Sequence, residues 1–283
     1  MRMTITQRAG FSAKLACRTN CAPMTERAAV GSRADFTEDA FLGGRLLLRQ
    51  PRSGHRAGHD AMLLAASTAA EPGQRVVDFG AGVGAAGLAV ASRVAGVSLA
   101  LVEIDHGLAE LARGNAAHNA IAAQTIVLDV TADADAFVAA GLPPDSADVV
   151  LMNPPFNDPS RHRASPQKAR EIAHVATATT LAGWIHAARR TLKSGGALTL
   201  IWRADGLAEV LAALERGFGS LAILPVHGDP EAPAIRVLVR AIKGGKAPTC
   251  LYPALMLNDK SAMPNGRAQE VLAGRELLPL ANL

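Results

Sequence analysis

The sequence predicts an α/β protein with a doubly wound, mostly parallel sheet that ends in an antiparallel hairpin strand, preceded by a small hairpin-helix extension. Three observations lead there. From Arg75 onward, short apolar or β-branched runs alternate with helix-length segments, the signature of strand-helix-strand units. Runs such as Val149-Val150-Leu151-Met152 are apolar without alternation, as suits strands buried on both faces. A cluster of glycines stands where the first of these strands meets the first helix, so the backbone there can turn sharply and lie close to a ligand.

In order, Ala40–Arg49 reads as a hairpin turning at Gly43-Gly44, and Asp60–Ala70 as a helix with Asp60 as its N-cap. Arg75–Phe79 is the first core strand and Ala85–Arg93 its helix. Ser98–Ile104 and Leu108–Asn119 form the next pair. Gln124–Leu128 is the third strand, Ala134–Ala140 its helix, and Ala147–Met152 the fourth strand. A polar loop leads to a helix over Ala178–Leu192, then a strand over Gly195–Trp202 and a helix over Gly206–Arg216. Leu221–Val226 and Ile235–Ile242 are too closely connected for a helical crossover, so they form an antiparallel pair. Leu251–Leu257 is extended, and Gln269–Arg275 is a terminal helix. The organisation expected is a tail (1–34), a hairpin and helix packed on the core (35–72), the main domain (73–245) and a C-terminal extension (246–283).

Composition sets limits. The chain has 283 residues, 49% of them hydrophobic and 4% aromatic, with a formal net charge of +4. One large α/β domain fits that length. With so few aromatics, any base stacking falls to one or two rings. The positive balance suits an anionic partner such as RNA and equally a mildly basic soluble protein. Cys17, Cys21 and Cys250 follow no metal or disulfide spacing, so no metal is expected, and a reducing cytoplasmic setting fits. No apolar run is long enough to span a bilayer. Residues 1–24 are basic and acid-free. They read as a transit-like segment, a disordered tail, or an over-extended start with Met24 as the true first residue.

Two segments carry chemistry. The first is Asp78-Phe79-Gly80-Ala81-Gly82-Val83-Gly84, leaving the first core strand where open α/β sheets bind ligands. Gly82-Val-Gly84-Ala-Ala-Gly87 also satisfies the dinucleotide fingerprint. Asp78, however, would repel a pyrophosphate and suits a ligand bearing an ammonium group. Glu103, about 20 residues on, can accept two hydrogen bonds from a ribose diol. The second segment is Asn153-Pro154-Pro155-Phe156, directly after the fourth strand. Two prolines hold the backbone rigid and extended. The Asn153 side-chain oxygen and the Pro154 carbonyl can then accept both N–H bonds of an exocyclic amine, freeing its delocalised lone pair, while Phe156 stacks on the planar group. Such catalysis depends on positioning and electrostatics, without a strong base or a metal.

With these residues in place, the chain resembles the class I S-adenosylmethionine-dependent methyltransferases, a Rossmann-like fold. The resemblance implies that Asp78, Gly80, Gly82 and Gly84 line the methionine end of S-adenosylmethionine and Glu103 holds its ribose. Asp129 falls where that family binds the adenine amino group. Asn153–Phe156 looks like the motif of amino-methyltransferases, which act on adenine N6, cytosine N4, guanine N2 or a glutamine amide. Arg56-Ala-Gly58-His59-Asp60 is similar to a segment of the bacterial tRNA1(Val) adenine-N6-methyltransferase family, with His59 where Thr is commoner. There Gly58 allows a tight turn near the cofactor carboxylate, and Asp60 is a cap, alone or with a cofactor contact. The basic loop bearing Arg161, Arg163, Lys168 and Arg170 also has a counterpart in that family and can grip phosphates around a flipped-out base, with Pro155 beside it. It equally fits a solvated surface loop. The expected function is therefore N-methylation of RNA, tRNA adenine N6 first. Guanine N2 of rRNA, glutamine N5 of a protein, and a catalytically inactive RNA-binding module are the alternatives.

Overall fold

The computed structural model describes residues 36–53, 56–155 and 180–282, all within one unit spanning Asp35–Leu283. The expectations for the N-terminal tail, for Cys17 and Cys21, and for Phe156, Arg161, Arg163, Lys168 and Arg170 lie outside the described residues.

Strands β1 (Phe36–Phe41) and β2 (Leu46–Pro51) form the antiparallel hairpin, and α1 (His59–Ser67) follows. The core then runs β3 (Arg75–Phe79), α2 (Ala85–Arg93), β4 (Ser98–Glu103), α3 (His106–His118), β5 (Ala123–Val127), α4 (Ala134–Ala139) and β6 (Ala147–Met152). A helix, α5, has 180–191 as its described part. After it come β7 (Leu192–Arg203), α6 (Leu207–Leu214), β8 (Phe218–His227) and β9 (Ala234–Lys243). Strands β5-β4-β3-β6-β7 are parallel neighbours in that order. Strand β9 lies antiparallel between β7 and β8, as the short connection required. The extended stretch near 251–257 becomes two short strands, β10 (Cys250–Leu251) and β11 (Leu255–Met256), both added parallel to β8.

The chain leaves β3 toward β4 on one side and leaves β6 toward β7 on the other, so a crevice opens at the carboxyl ends of β3 and β6. Phe79 pairs with Met152; the glycine loop and Asn153, which follow those residues, therefore emerge side by side.

Alternation along β3 sorts the two layers. Val77 and Phe79 join the apolar cluster under α4, α5 and α6, while Val76 joins the cluster under α1, α2 and α3. Asp78 shares the parity of Val76 and is thereby driven into the α2 face. The hairpin packs on this second layer through Leu46, Leu48 and Gln50, all buried. Each Leu contributes about 2 kcal/mol by that burial. The free edge of β2 is paired by two amides one helical turn apart, Asn115 on α3 and Asn119 at its C-cap. Asn115 accepts from Arg49 N (2.8 Å) and donates to its carbonyl (3.1 Å). Asn119 does the same for Leu47 (2.9 and 2.7 Å). Side chains thus stand in for a missing strand and leave no backbone group of that edge orphaned.

Helix ends differ from expectation for local reasons. Helix α3 starts at His106 because Asp105 caps it, accepting from Leu108 N at 2.9 Å. Helix α7 (Gly266–Leu272) starts earlier than Gln269 because Asn265 accepts from Arg267 N and Ala268 N. Helix α1 stops at Ser67, where the hydroxyls of Ser67 and Thr68 bond back to Leu63 and Leu64 and Arg93 takes the Ala65 and Thr68 carbonyls. With its last carbonyls satisfied, the helix has no need to continue to Ala70.

Candidate active site

A cavity of about 300 Å³ lies in the crevice. It brings together Gly58, Asp60, Asp78, Gly80, Gly82 and Asn153 from the expected set. Arg56, Ala57, His59, Val83 and Leu108 also line it; the first four belong to segments the sequence pointed to, without a role of their own, and Leu108 was expected only to begin a helix. Several offer only backbone or an apolar surface, which no residue-type pattern announces.

Asp78 is 2% exposed, and one of its carboxylate oxygens accepts from Gly87 N at 2.8 Å. Burial pushes its carboxyl up to about 7; the Gly87 N–H works against that, and the negative charge of Glu103 adds to it. Gly80 has φ +67° and an added Cβ would lie 2.4 Å from Trp184 Cη2. Trp184, on α5, roofs the loop; nothing near it in sequence signals that contact. Gly82 has φ +56° with open space where a Cβ would stand. These two glycines should therefore fail differently. Gly80→Ala is expected to lower stability by about 2–4 kcal/mol, strain plus overpacking against a buried ring. Gly82→Ala should cost about 1 kcal/mol in stability while weakening ligand binding. Urea unfolding and calorimetric binding on both variants check this, and equal losses of stability would refute the distinction.

Gly84, Glu103 and Asp129 do not line the cavity. Gly84 has φ +88° and starts α2, its Cβ position hemmed in by Leu88 and Leu101. Glu103 braces the loop: one oxygen accepts from Gly82 N (2.8 Å), the other from Asp105 N (2.9 Å). Asp129 is exposed and caps its own turn, accepting from Thr131 N and Oγ1 at 2.7 Å. Two local readings are corrected. Asp60 does not cap α1: Gly58 is the N-cap residue, and the Asp60 carboxylate instead pairs with Arg236 Nε at 2.9 Å. Gly58 is in an extended conformation (φ −148°), so the chain arrives as a straight wall segment, without a tight turn.

Asn153 also lines the cavity. Its Oδ1 is buried and has no hydrogen-bond partner among the described residues. Pro154 is buried and Pro155 exposed. Among the described residues there is no cluster of metal-binding side chains and no helix long and apolar enough to cross a membrane.

Comparison with known proteins agrees with this geometry. Residues 55–227 match the model of the methyltransferase small domain family. A tRNA1(Val) (adenine(37)-N6)-methyltransferase of Porphyromonas gingivalis is 29% identical over 178 residues, 61% of this chain and 68% of that one. The crystal structure of a predicted O-methyltransferase from Agrobacterium tumefaciens is 34% identical, with a TM-score of 0.64, covering 77% of this chain and 98% of that one. A Thermus thermophilus 16S rRNA N2-guanine methyltransferase, solved with AdoMet and guanosine, shares the fold at a TM-score of 0.50 and 18% identity, covering 74% and 50% of the two chains. The cavity fits that cofactor: it holds a buried carboxylate able to face an ammonium group and a glycine loop with room above Gly82. The chain belongs to the methyltransferase small domain family and is an S-adenosylmethionine-dependent methyltransferase.

Proposed function

We propose that this enzyme methylates an adenine N6 amino group in RNA, with tRNA as the substrate class. The observation that carries the reading is the buried Asn153 Oδ1, which has no donor among the described residues and belongs to a residue lining the cofactor cavity. An unsatisfied buried acceptor costs about 1–3 kcal/mol, and a substrate that brings an N–H recovers that cost.

An exocyclic amine presents two N–H bonds. Asn153 Oδ1 accepts one and the adjoining Pro154 carbonyl the other, turning the nitrogen lone pair out of conjugation and toward the cavity. Bound S-adenosylmethionine supplies a methyl group already activated on a sulfonium sulfur. As the nitrogen takes the methyl group and the sulfonium C–S bond breaks, leaving a neutral thioether, positive charge would develop on the nitrogen; the same two acceptors would stabilise it through its protons, one of which is then lost to solvent. On this reading Asp78 faces the cofactor ammonium, and the cofactor extends past the cavity, so that Glu103 and Asp129, which do not line it, meet the ribose hydroxyls and the adenine amino group with their remaining lone pairs. Phe156 stacks on the base, and Arg161, Arg163, Lys168 and Arg170 hold the flanking phosphates. The Porphyromonas gingivalis relative, named for tRNA adenine methylation, supports the substrate class.

A hydroxyl acceptor, the substrate type in the name of the Agrobacterium tumefaciens protein, has one O–H and would engage only one of the two acceptors. Guanine N2 and glutamine N5 share the amine geometry. The test is transfer from labelled S-adenosylmethionine to separated tRNA, rRNA, DNA and protein from a strain lacking the gene, followed by mass spectrometry of the product. N6-methyladenosine in tRNA is the expected product. Label in another pool, or on oxygen, would overturn the substrate and keep the reaction class; no label in any pool, with cofactor bound, would favour a non-catalytic module.

A further inference from the structure

The wall of the cofactor cavity at Arg56 and Ala57 is held from behind by two polar side chains of the hairpin. Gln50, 1% exposed, faces inward at the position where the Leu46, Leu48 alternation calls for an apolar residue. Its Oε1 accepts from Ala57 N at 2.7 Å, and its Nε2 donates to Asp39 Oδ2 at 2.8 Å. The same Asp39 oxygen accepts from Arg56 Nη2 at 2.5 Å and from Thr37 Oγ1 at 3.1 Å. Arg56 Nη1 donates to the Pro51 carbonyl at 2.7 Å. The network thus fixes both the backbone of Ala57 and the guanidinium of Arg56, and both residues line the cavity. A buried amide in an apolar row is costly unless fully bonded, and here its bonds all converge on one wall.

We propose that Gln50 and Asp39 are positioning residues for S-adenosylmethionine, acting through Ala57 and Arg56 without touching the ligand themselves. Preorganisation of this wall lowers the ordering cost of binding. The proposal rests on the cofactor chemistry of the family and on nothing about the RNA, so failure of the tRNA assay leaves it standing.

The experiment is calorimetric binding of S-adenosylhomocysteine to the full chain, with KM for S-adenosylmethionine and kcat measured alongside. Gln50→Leu and Asp39→Asn are each expected to weaken binding about tenfold, raising the cofactor KM while kcat at saturation stays within about twofold. Asn119→Ala is the control: it loosens the same hairpin at Leu47, away from the cavity, and should leave the affinity unchanged. In an Arg56→Ala background, Asp39→Ala should add less than the loss it causes alone, because part of its effect passes through that guanidinium and the rest through Gln50. If Gln50→Leu does not fold, Asp39→Asn and the Arg56 cycle decide alone. Unchanged affinity in folded variants, an equal loss in Asn119→Ala, or a fully additive double variant would each overturn the proposal.

Discussion

Asn153→Ala is expected to reduce methyl transfer by about 100-fold or more at saturating cofactor, the scale seen when one preorganised polar group is removed from a reaction centre. Cofactor affinity should stay within about twofold, because the acceptor is reserved for substrate. The ligand-free protein should be no less stable than the parent, since the deleted oxygen is buried without a partner among the described residues and its removal relieves a desolvation cost. Asn153→Asp retains an acceptor at the same place and should recover part of the rate. Single-turnover methyl transfer, cofactor calorimetry and urea unfolding measure the three quantities. A variant that transfers methyl groups at the parent rate would remove the role of Asn153; one that loses rate together with stability would reduce it to a structural residue.

What could be read beforehand follows from range along the chain. The succession of strands and helices, the antiparallel pairing of β8 and β9 and the glycine loop are written in local periodicity and turn residues, and they were legible; the order of strands across the sheet was not. The pairing of Asp78 with the glycines was legible too, because both lie on one strand exit. Contacts made through space were not. Trp184 meets Gly80 only because α5 folds back across the loop. Asp60 resembles a cap by type and spacing, yet Arg236, far along the chain on β9, takes its carboxylate. Gln50 did leave a trace, as a polar residue on the inward parity of an apolar strand, but its partners Ala57 and Asp39 cannot be found from that trace alone. The Asn115 and Asn119 pair, four apart at the end of α3 and its C-cap, likewise gains meaning only once β2 lies beside it.

The pH dependence of cofactor binding should report Asp78 directly. Burial pushes its carboxyl up to about 7 in the folded protein, well above the usual aspartate value of about 4. The folded chain therefore holds this proton more tightly than the unfolded chain does. The associated stability is fully present below about pH 4, declines as pH rises, and is lost above about pH 7, a difference on the order of 4 kcal/mol. An ammonium group brought against the carboxylate reverses the preference, so binding below pH 7 must expel the proton. Affinity for S-adenosylhomocysteine should thus be level above about pH 7.5 and fall toward tenfold per unit below about pH 6.5, with proton release visible in buffers of different ionisation enthalpy. Asp78→Asn should abolish this dependence and bind about 100-fold more weakly. At pH 8 the same variant, without its ligand, should resist urea better than the parent, because a buried charge has been removed. A flat affinity profile, or tight binding by the Asn variant, would mean that the ammonium is held elsewhere. The opposed effects on stability and binding are the decisive feature: a residue kept only for packing would lose both together, whereas a carboxylate kept for a cationic ligand destabilises the empty fold and is stabilised when the ligand arrives.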